Sequence, residues 1–198
     1  MTARLLIVGP QGSGKGTQGV RIAEAFGIPA ISTGDVFRGA VADGTPLGQQ
    51  VKAIIESGNL VPDELTSAVV RDRLAQADAG NGFLLDGFPR NIAQVASLDD
   101  FLEGRDESLD AVIELDVPRD ESIARLSQRA AEQGRTDDTE EVIANRLAIY
   151  ERETAPILDV YRTRGIVDRI DGVGGLDEIT ERIVAALEAR GLGRAAAA

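Results

Sequence analysis

Leu5-Leu6-Ile7-Val8-Gly9-Pro10-Gln11-Gly12-Ser13-Gly14-Lys15-Gly16-Thr17 decides how the rest of the chain is read. The apolar run Leu5 to Val8 suits a strand buried on both faces, and helical periodicity begins at Lys15. Between them, glycines at 9, 12 and 14 permit backbone angles that turn several amide N–H groups inward, with a helix N-terminus behind them. Strand, glycine-rich turn, lysine and helix in that order form a nest for phosphate oxygens, with Lys15 reaching the β- and γ-phosphates of a nucleotide. The strict motif places Ser or Thr directly after the lysine. Here Gly16 stands there and Thr17 follows, so the Thr17 hydroxyl is the candidate for the phosphate and Mg²⁺ region. The competing reading is a plain glycine-rich connection. It leaves the lysine to chance, in a chain with only two lysines, Lys15 and Lys52, against 19 arginines.

Outward from this stretch, short apolar runs alternate with longer segments of helical period, the signature of a parallel sheet wrapped by helices. Strands are expected at Arg4–Val8, Ile28–Ile31, Gly82–Leu85, Ala111–Val117 and Ile166–Ile170. Helices are expected over 15–26, 33–43, 47–57, 62–77, 91–103, 119–131, 138–164 and 176–190. Pro62 and Pro118 suit first helical turns, Gly58 and Gly165 suit helix ends, and Pro156 should kink the long helix it falls in. The expected architecture is a doubly wound α/β domain. Two excursions interrupt the alternation: the helical stretch between the second and third strands, and the polar segment between Arg129 and Asp138. Each is a candidate moving element over a site or an ordinary surface excursion.

The composition narrows the chemistry. The 198 residues favour one domain, large enough to bury a core without metal or disulfide staples. With no cysteine and no histidine, structural zinc, disulfides, thiol nucleophiles and histidine bases are excluded. A net charge of −12 argues against non-specific nucleic-acid binding, so positive contacts to a polyphosphate must be concentrated locally. No apolar run approaches the ~20 residues of a membrane span, and the four apolar residues after Arg4 are too few for a signal peptide. A soluble, cytoplasmic monomer is expected.

The variant Gly14-Lys15-Gly16-Thr17-Gln18 resembles the adenylate kinase family, and four further segments agree in order and spacing. They are Ser32-Thr33-Gly34-Asp35-Val36-Phe37-Arg38, Gly58-Asn59-Leu60-Val61-Pro62-Asp63-Glu64, Gly82-Phe83-Leu84-Leu85-Asp86-Gly87-Phe88-Pro89-Arg90 and Gly134-Arg135-Thr136-Asp137-Asp138. The resemblance runs to about residue 190. It implies a P-loop three-layer αβα fold with a five-stranded parallel sheet in the order 2-3-1-4-5. It also implies an acceptor-binding lobe over residues 32–61 and a short lid over 128–138. The long-lid form often carries a zinc cluster of cysteines, which this chain cannot build.

In the family's terms, AMP would be held by Thr33, Arg38, the backbone of Asn59, Leu60 and Val61, the run Gly87, Phe88, Pro89 and Arg90, and Gln94. ATP would be held by Gly12, Ser13, Gly14, Lys15, Gly16, Thr17, Arg125, Arg129 and Gly174, with Arg135 and Arg146 spanning the transferring phosphoryl group. Asp86 resembles a carboxylate that grips Mg²⁺ through water, alongside Thr17, and Asp137 and Asp138 match the acidic pair that closes the lid. The bottom-up reading agrees: arginine forks bind phosphate bidentately and stay charged, which suits a ring around two repelling anions. Lys15, Arg38, Arg90, Arg129, Arg135 and Arg146 are the residues expected to carry catalysis, whereas Arg105, Arg162 and Arg190 read as surface arginines.

The resemblance leaves AMP, UMP or CMP as acceptor. Thr33 is the adenylate-type residue where pyrimidine relatives often carry alanine. Gln94 can pair its amide with adenine where such relatives tend to place asparagine. Gln11 replaces the family's usual proline, Gly19 a bulkier residue, and Val36-Phe37 the usual pair before Arg38, yet none of these removes a phosphate ligand. A GTP switch would need an Asn-Lys-x-Asp string, which is absent. A non-catalytic nucleotide sensor would be expected to have lost part of the lysine–arginine set, and the matching positions are all present.

Overall fold

The computed structural model describes the backbone of residues 2–133 and 139–195, and the side chains of all of these but 129–133. Five parallel strands, β1 (Ala3–Val8), β2 (Ala30–Ser32), β3 (Gly82–Asp86), β4 (Ala111–Asp116) and β5 (Val167–Asp171), form one sheet in the order β2-β3-β1-β4-β5. The second strand starts later than expected, because Ile28 and Pro29 are spent on leaving the preceding helix and Pro29 contributes only its carbonyl, to the Leu84 N–H. The register sets Leu5 opposite both Leu84 and Ala111, which makes β1 the centre of the sheet.

Residues of β1 alternate between two cores, as a strand's period of two requires. Leu6 and Val8 join Val70, Leu74, Leu98, Ile157 and Tyr161 on one face; Leu5 and Ile7 join Ile22, Phe26, Ile183 and Leu187 on the other. The first face is covered by α4 (Asp63–Leu74), α5 (Ile92–Glu103) and α8 (Ile157–Thr163). The second is covered by α1 (Lys15–Phe26) and α9 (Leu176–Ala189). Fully burying one such leucine is worth about 1.5–3 kcal/mol, so this central strand anchors both layers.

The long helix expected over 138–164 is divided. α7 (Glu140–Ile149) passes into a single π-helical turn, Tyr150–Thr154, and α8 restarts after Pro156. Pro156 has no N–H to donate and its ring crowds the preceding turn, so the ladder widens and breaks there rather than kinking. α6 (Arg119–Gln133) precedes the polar segment; residues 134–138 lie outside the described residues.

Between β2 and β3, α2 (Thr33–Ala42) and α3 (Pro46–Glu56) pack around a small core of their own, Phe37, Val51 and Val61. Ser32 and Thr45 cap the two helices by accepting from the Asp35 and Gly48 N–H groups. The helices meet at Gly48, where a Cβ would lie 2.0 Å from the Ala40 carbonyl oxygen. Gly48→Ala is therefore expected to destabilise this pair by about 1–3 kcal/mol. Gly39→Ala, in open space on α2, is expected to stabilise it by about 0.5–1 kcal/mol. Urea unfolding followed by circular dichroism checks both, and equal effects would mean that the helices do not approach at Gly48.

Candidate active site

The carboxyl ends of β1 and β3 open into a cleft of about 1000 Å³, the usual position for a ligand in an open α/β sheet. The glycine-rich loop forms its floor. Gly12 and Gly14 have φ of +83° and +92°, and Gly14 is the residue from which α1 starts. A Cβ on Gly12 would lie 2.3 Å from the Ser122 carbonyl oxygen, so the loop passes the backbone of α6 at a distance only glycine allows. Lys15 Nζ donates to the carbonyls of Gly9 at 2.6 Å and Pro10 at 2.8 Å, holding the ammonium against the loop. Asp86 at the end of β3 faces it, with Oδ2 3.8 Å from where a Gly16 Cβ would stand. Burial raises the Asp86 carboxyl above its ordinary range, while Lys15 and then Arg90 pull it back down.

The residues after β3 build the opposite wall. Gly87, at φ +83°, aims its carbonyl at two donors, the Thr33 hydroxyl at 2.9 Å and Arg90 Nε at 2.8 Å. A Cβ at Gly87 would lie 2.7 Å from Thr33 Oγ1 and 2.9 Å from Arg90 Nη2. The Phe88–Pro89 peptide is cis, and the Thr154 hydroxyl donates to the Arg90 carbonyl at 2.9 Å. Burial lowers the Arg90 guanidinium from its ordinary value; Asp86 opposes this, and Arg146 and Arg38 add to it. These side chains thus lie within electrostatic reach of one another. Arg38 crosses Gly34 and donates to Asp35 at 2.6 Å, and Arg146 Nη2 donates to the Ile55 carbonyl at 3.3 Å. Arg125 reaches from α6 to the Gly172 carbonyl at 3.1 Å and the Ser13 carbonyl at 3.4 Å. Tyr150 in the cleft wall is pushed up to about 12, by burial first and then by Glu114 and Asp116, so it stays neutral.

Comparison with known proteins agrees with this geometry. The adenylate kinase family model matches residues 7–166. The adenylate kinase of Clavibacter michiganensis subsp. michiganensis is 58% identical over 96% of this chain and 94% of its own. That of Kocuria rhizophila is 55% identical over 93% and 98%, and that of Leifsonia xyli subsp. xyli 54% over 95% and 94%. The chain belongs to the adenylate kinase family.

Most positions that resemble the family's binding residues converge on this one cleft. Gly12, Gly14, Lys15, Gly16, Thr17, Thr33, Arg38, Asn59, Leu60, Val61, Asp86, Gly87, Pro89, Arg90, Gln94, Arg125, Arg146 and Gly174 all line it. Two expected residues do not. Phe88 turns its ring into the core with Val95 and Leu98, because an aromatic between two apolar strand ends gains more from burial than from a polar cleft. The Ser13 side chain is 1% exposed, and its hydroxyl has no hydrogen-bond partner among the described residues. The Arg129 side chain, Arg135, Asp137 and Asp138 lie outside the described residues.

The structure adds cleft residues that the sequence reading missed: Tyr150 and Thr154 from the π turn, and Glu121 and Leu126 from α6. No motif marks them; only the break before Pro156 hinted that this helix was irregular. The double use of the Gly87 carbonyl carries a prediction for an adenylate kinase. Gly87→Ala should lower kcat/KM for phosphoryl transfer at least about tenfold, with the far-UV circular dichroism unchanged. Near-normal turnover would show that the seat shared by Thr33 and Arg90 is dispensable.

Proposed function

We propose that this adenylate kinase moves the γ-phosphoryl group of ATP reversibly onto AMP, giving two ADP, with Mg²⁺ accompanying ATP. The observation that carries the reading is the convergence of Lys15, Arg38, Arg90, Arg125 and Arg146 on a single cleft between a phosphate nest and a second nucleotide-sized wall. Phosphoryl transfer asks for positioning and charge neutralisation rather than covalent help, so a chain without histidine or cysteine is not handicapped.

In this reading the loop N–H groups and Lys15 hold the β- and γ-phosphates, Lys15 exchanging the carbonyls of Gly9 and Pro10 for phosphate oxygens. Arg38 and Arg90 hold the AMP phosphate, already anionic at neutral pH, so no base is needed to activate it. Arg146, and from the lid side Arg129 and Arg135, neutralise charge on the group in flight. Arg125 and the Gly174 backbone hold the donor nucleotide. Thr33, Gln94 and the Asn59–Val61 backbone hold the acceptor.

Thr17 and Asp86 fit a divalent cation of the Mg²⁺ type. Asp86 lies over the loop, and no cluster of three acidic ligands occurs among the described residues. Such an ion would take few oxygens from the protein and the rest from phosphate and water. When bound it neutralises phosphate charge. Residues 32–61 and 128–138 serve as closing lobes that exclude water, the competing acceptor. We take the enzyme to act as a cytoplasmic monomer, which its acidic surface suits; among the described residues no helix is long and apolar enough to cross a membrane.

Incubation with Mg·ATP and AMP, CMP, UMP or GMP in turn, following ADP, tests the acceptor. Fast ADP formation with AMP, abolished without Mg²⁺, is expected; faster turnover with CMP or UMP would overturn the assignment. Lys15→Met should keep the fold and lower kcat at least about 100-fold, and retained turnover would remove the loop from the mechanism.

A further inference from the structure

Gln94 is only 2% exposed, yet it lines the cleft. Its amide is gripped at both ends. Oε1 accepts from the Arg90 backbone N–H at 2.8 Å, and Nε2 donates to Asp63 Oδ1 at 2.7 Å. Asp63, the first residue of α4, is itself held by Asn91, whose Nδ2 donates to the same Oδ1 at 2.9 Å while its Oδ1 accepts from the Gln94 N–H. A backbone N–H can only donate and a carboxylate can only accept. Rotating the amide by half a turn would set donor against donor at Arg90 and acceptor against acceptor at Asp63. The amide therefore has one orientation, with one lone pair and one N–H left over for a ligand.

We infer that Asp63 is a positioning residue for base specificity: it locks the Gln94 amide so that it accepts at one place and donates at the next. The inference rests on AMP being the acceptor and deepens that reading. Adenine offers a 6-amino donor beside the N1 acceptor, which matches a fixed acceptor–donor pair. A 6-oxopurine presents the reverse, an O6 acceptor beside an N1–H donor, and would need the amide turned over. An unrestrained glutamine can serve either base; a locked one rejects the 6-oxopurine, because a buried polar group left facing its like is heavily penalised. Asp63 does not line the cleft, so it acts through Gln94.

The test compares kcat and KM for AMP and for inosine monophosphate, with Mg·ATP as donor, in wild type, Asp63→Ala and Asp63→Leu. Inosine monophosphate reverses the hydrogen-bonding pattern without adding the 2-amino group of guanine. The wild type should prefer AMP. Asp63→Ala should reduce that preference about tenfold or more, mainly by raising the KM for AMP, with the KM for ATP unchanged. Asp63→Leu, close in size but with no acceptor for the Gln94 and Asn91 amides, should lower the preference too, and it carries the test alone if the alanine variant does not fold. An unchanged AMP preference in both variants, or a parallel fall for both acceptors together with a raised KM for ATP, would overturn the lock and leave Asp63 as a helix-terminal residue. A wild type that ignores AMP would overturn the acceptor reading itself, and the lock with it.

Discussion

The site hangs on the parallel pairing of β1 with β3, which sets Ile7 opposite Asp86 and sends the two following loops out of the sheet side by side. One loop is the glycine-rich turn of the cleft floor and the other carries Gly87 to Arg90, so the spacing between floor and wall is fixed by a hydrogen-bonded ladder rather than by flexible chain. Both strands are buried on both faces, and neither can shift by one residue without turning leucines into the wrong core. Rigidity is then greatest where two anions must meet end to end. Neighbours on the other side of β1 explain the need for glycine: a Cβ on Gly9 would lie 2.8 Å from the Leu115 carbonyl oxygen of β4, and one on Gly12 2.3 Å from the Ser122 carbonyl oxygen of α6.

Electrostatics in the cleft depend on how the cations are anchored. On the surface, arginines are paired with carboxylates: Arg164 with Asp99, Arg73 with Asp78, Arg190 with Asp168. Such pairs cancel charge and contribute little to stability when exposed. In the cleft, Arg38 and Arg125 also meet carboxylates, Asp35 and Glu121, whereas Arg90 is steered by the Gly87 carbonyl and Lys15 by the carbonyls of Gly9 and Pro10. A carbonyl orients a cation without removing its formal charge. In a chain of net charge −12, these cations are gathered along one cleft.

Much of this was legible in the sequence because it depends on local rules. Apolar runs bounded by glycine and proline marked all five strands, and Gly-x-x-Gly-x-Gly-Lys marked the loop that precedes α1. Resemblance then marked the arginines, which depend on side-chain reach rather than local rules. What escaped depends on three-dimensional packing. Phe88 sits inside a matching motif but packs in the core, because alternate residues around a turn need not share a side. The π turn at Tyr150–Thr154 answers a proline several residues later, which predicts a disturbance but not its form. Asp63 reads in sequence as an ordinary acidic first turn of a helix, favoured there by the helix dipole. Its pairing with Gln94 spans 31 residues and becomes visible only once α4 and α5 lie together.

The small lobe of α2 and α3 has its own core, yet it is tied to the main body at its far end. Asn145 on α7 donates to the Ser57 carbonyl at 3.0 Å and to Asn59 Oδ1 at 3.2 Å. Gly58, at φ +76°, leaves no room for a Cβ beside Val142. One turn of α7 therefore grips the loop whose backbone borders the acceptor pocket. Arg146, the next residue, shares the grip through the Ile55 carbonyl, and it also lies within electrostatic reach of Arg90 in the cleft wall. The lobe is thus tied to the cleft through one side chain, with Asn145 beside it on the same helix.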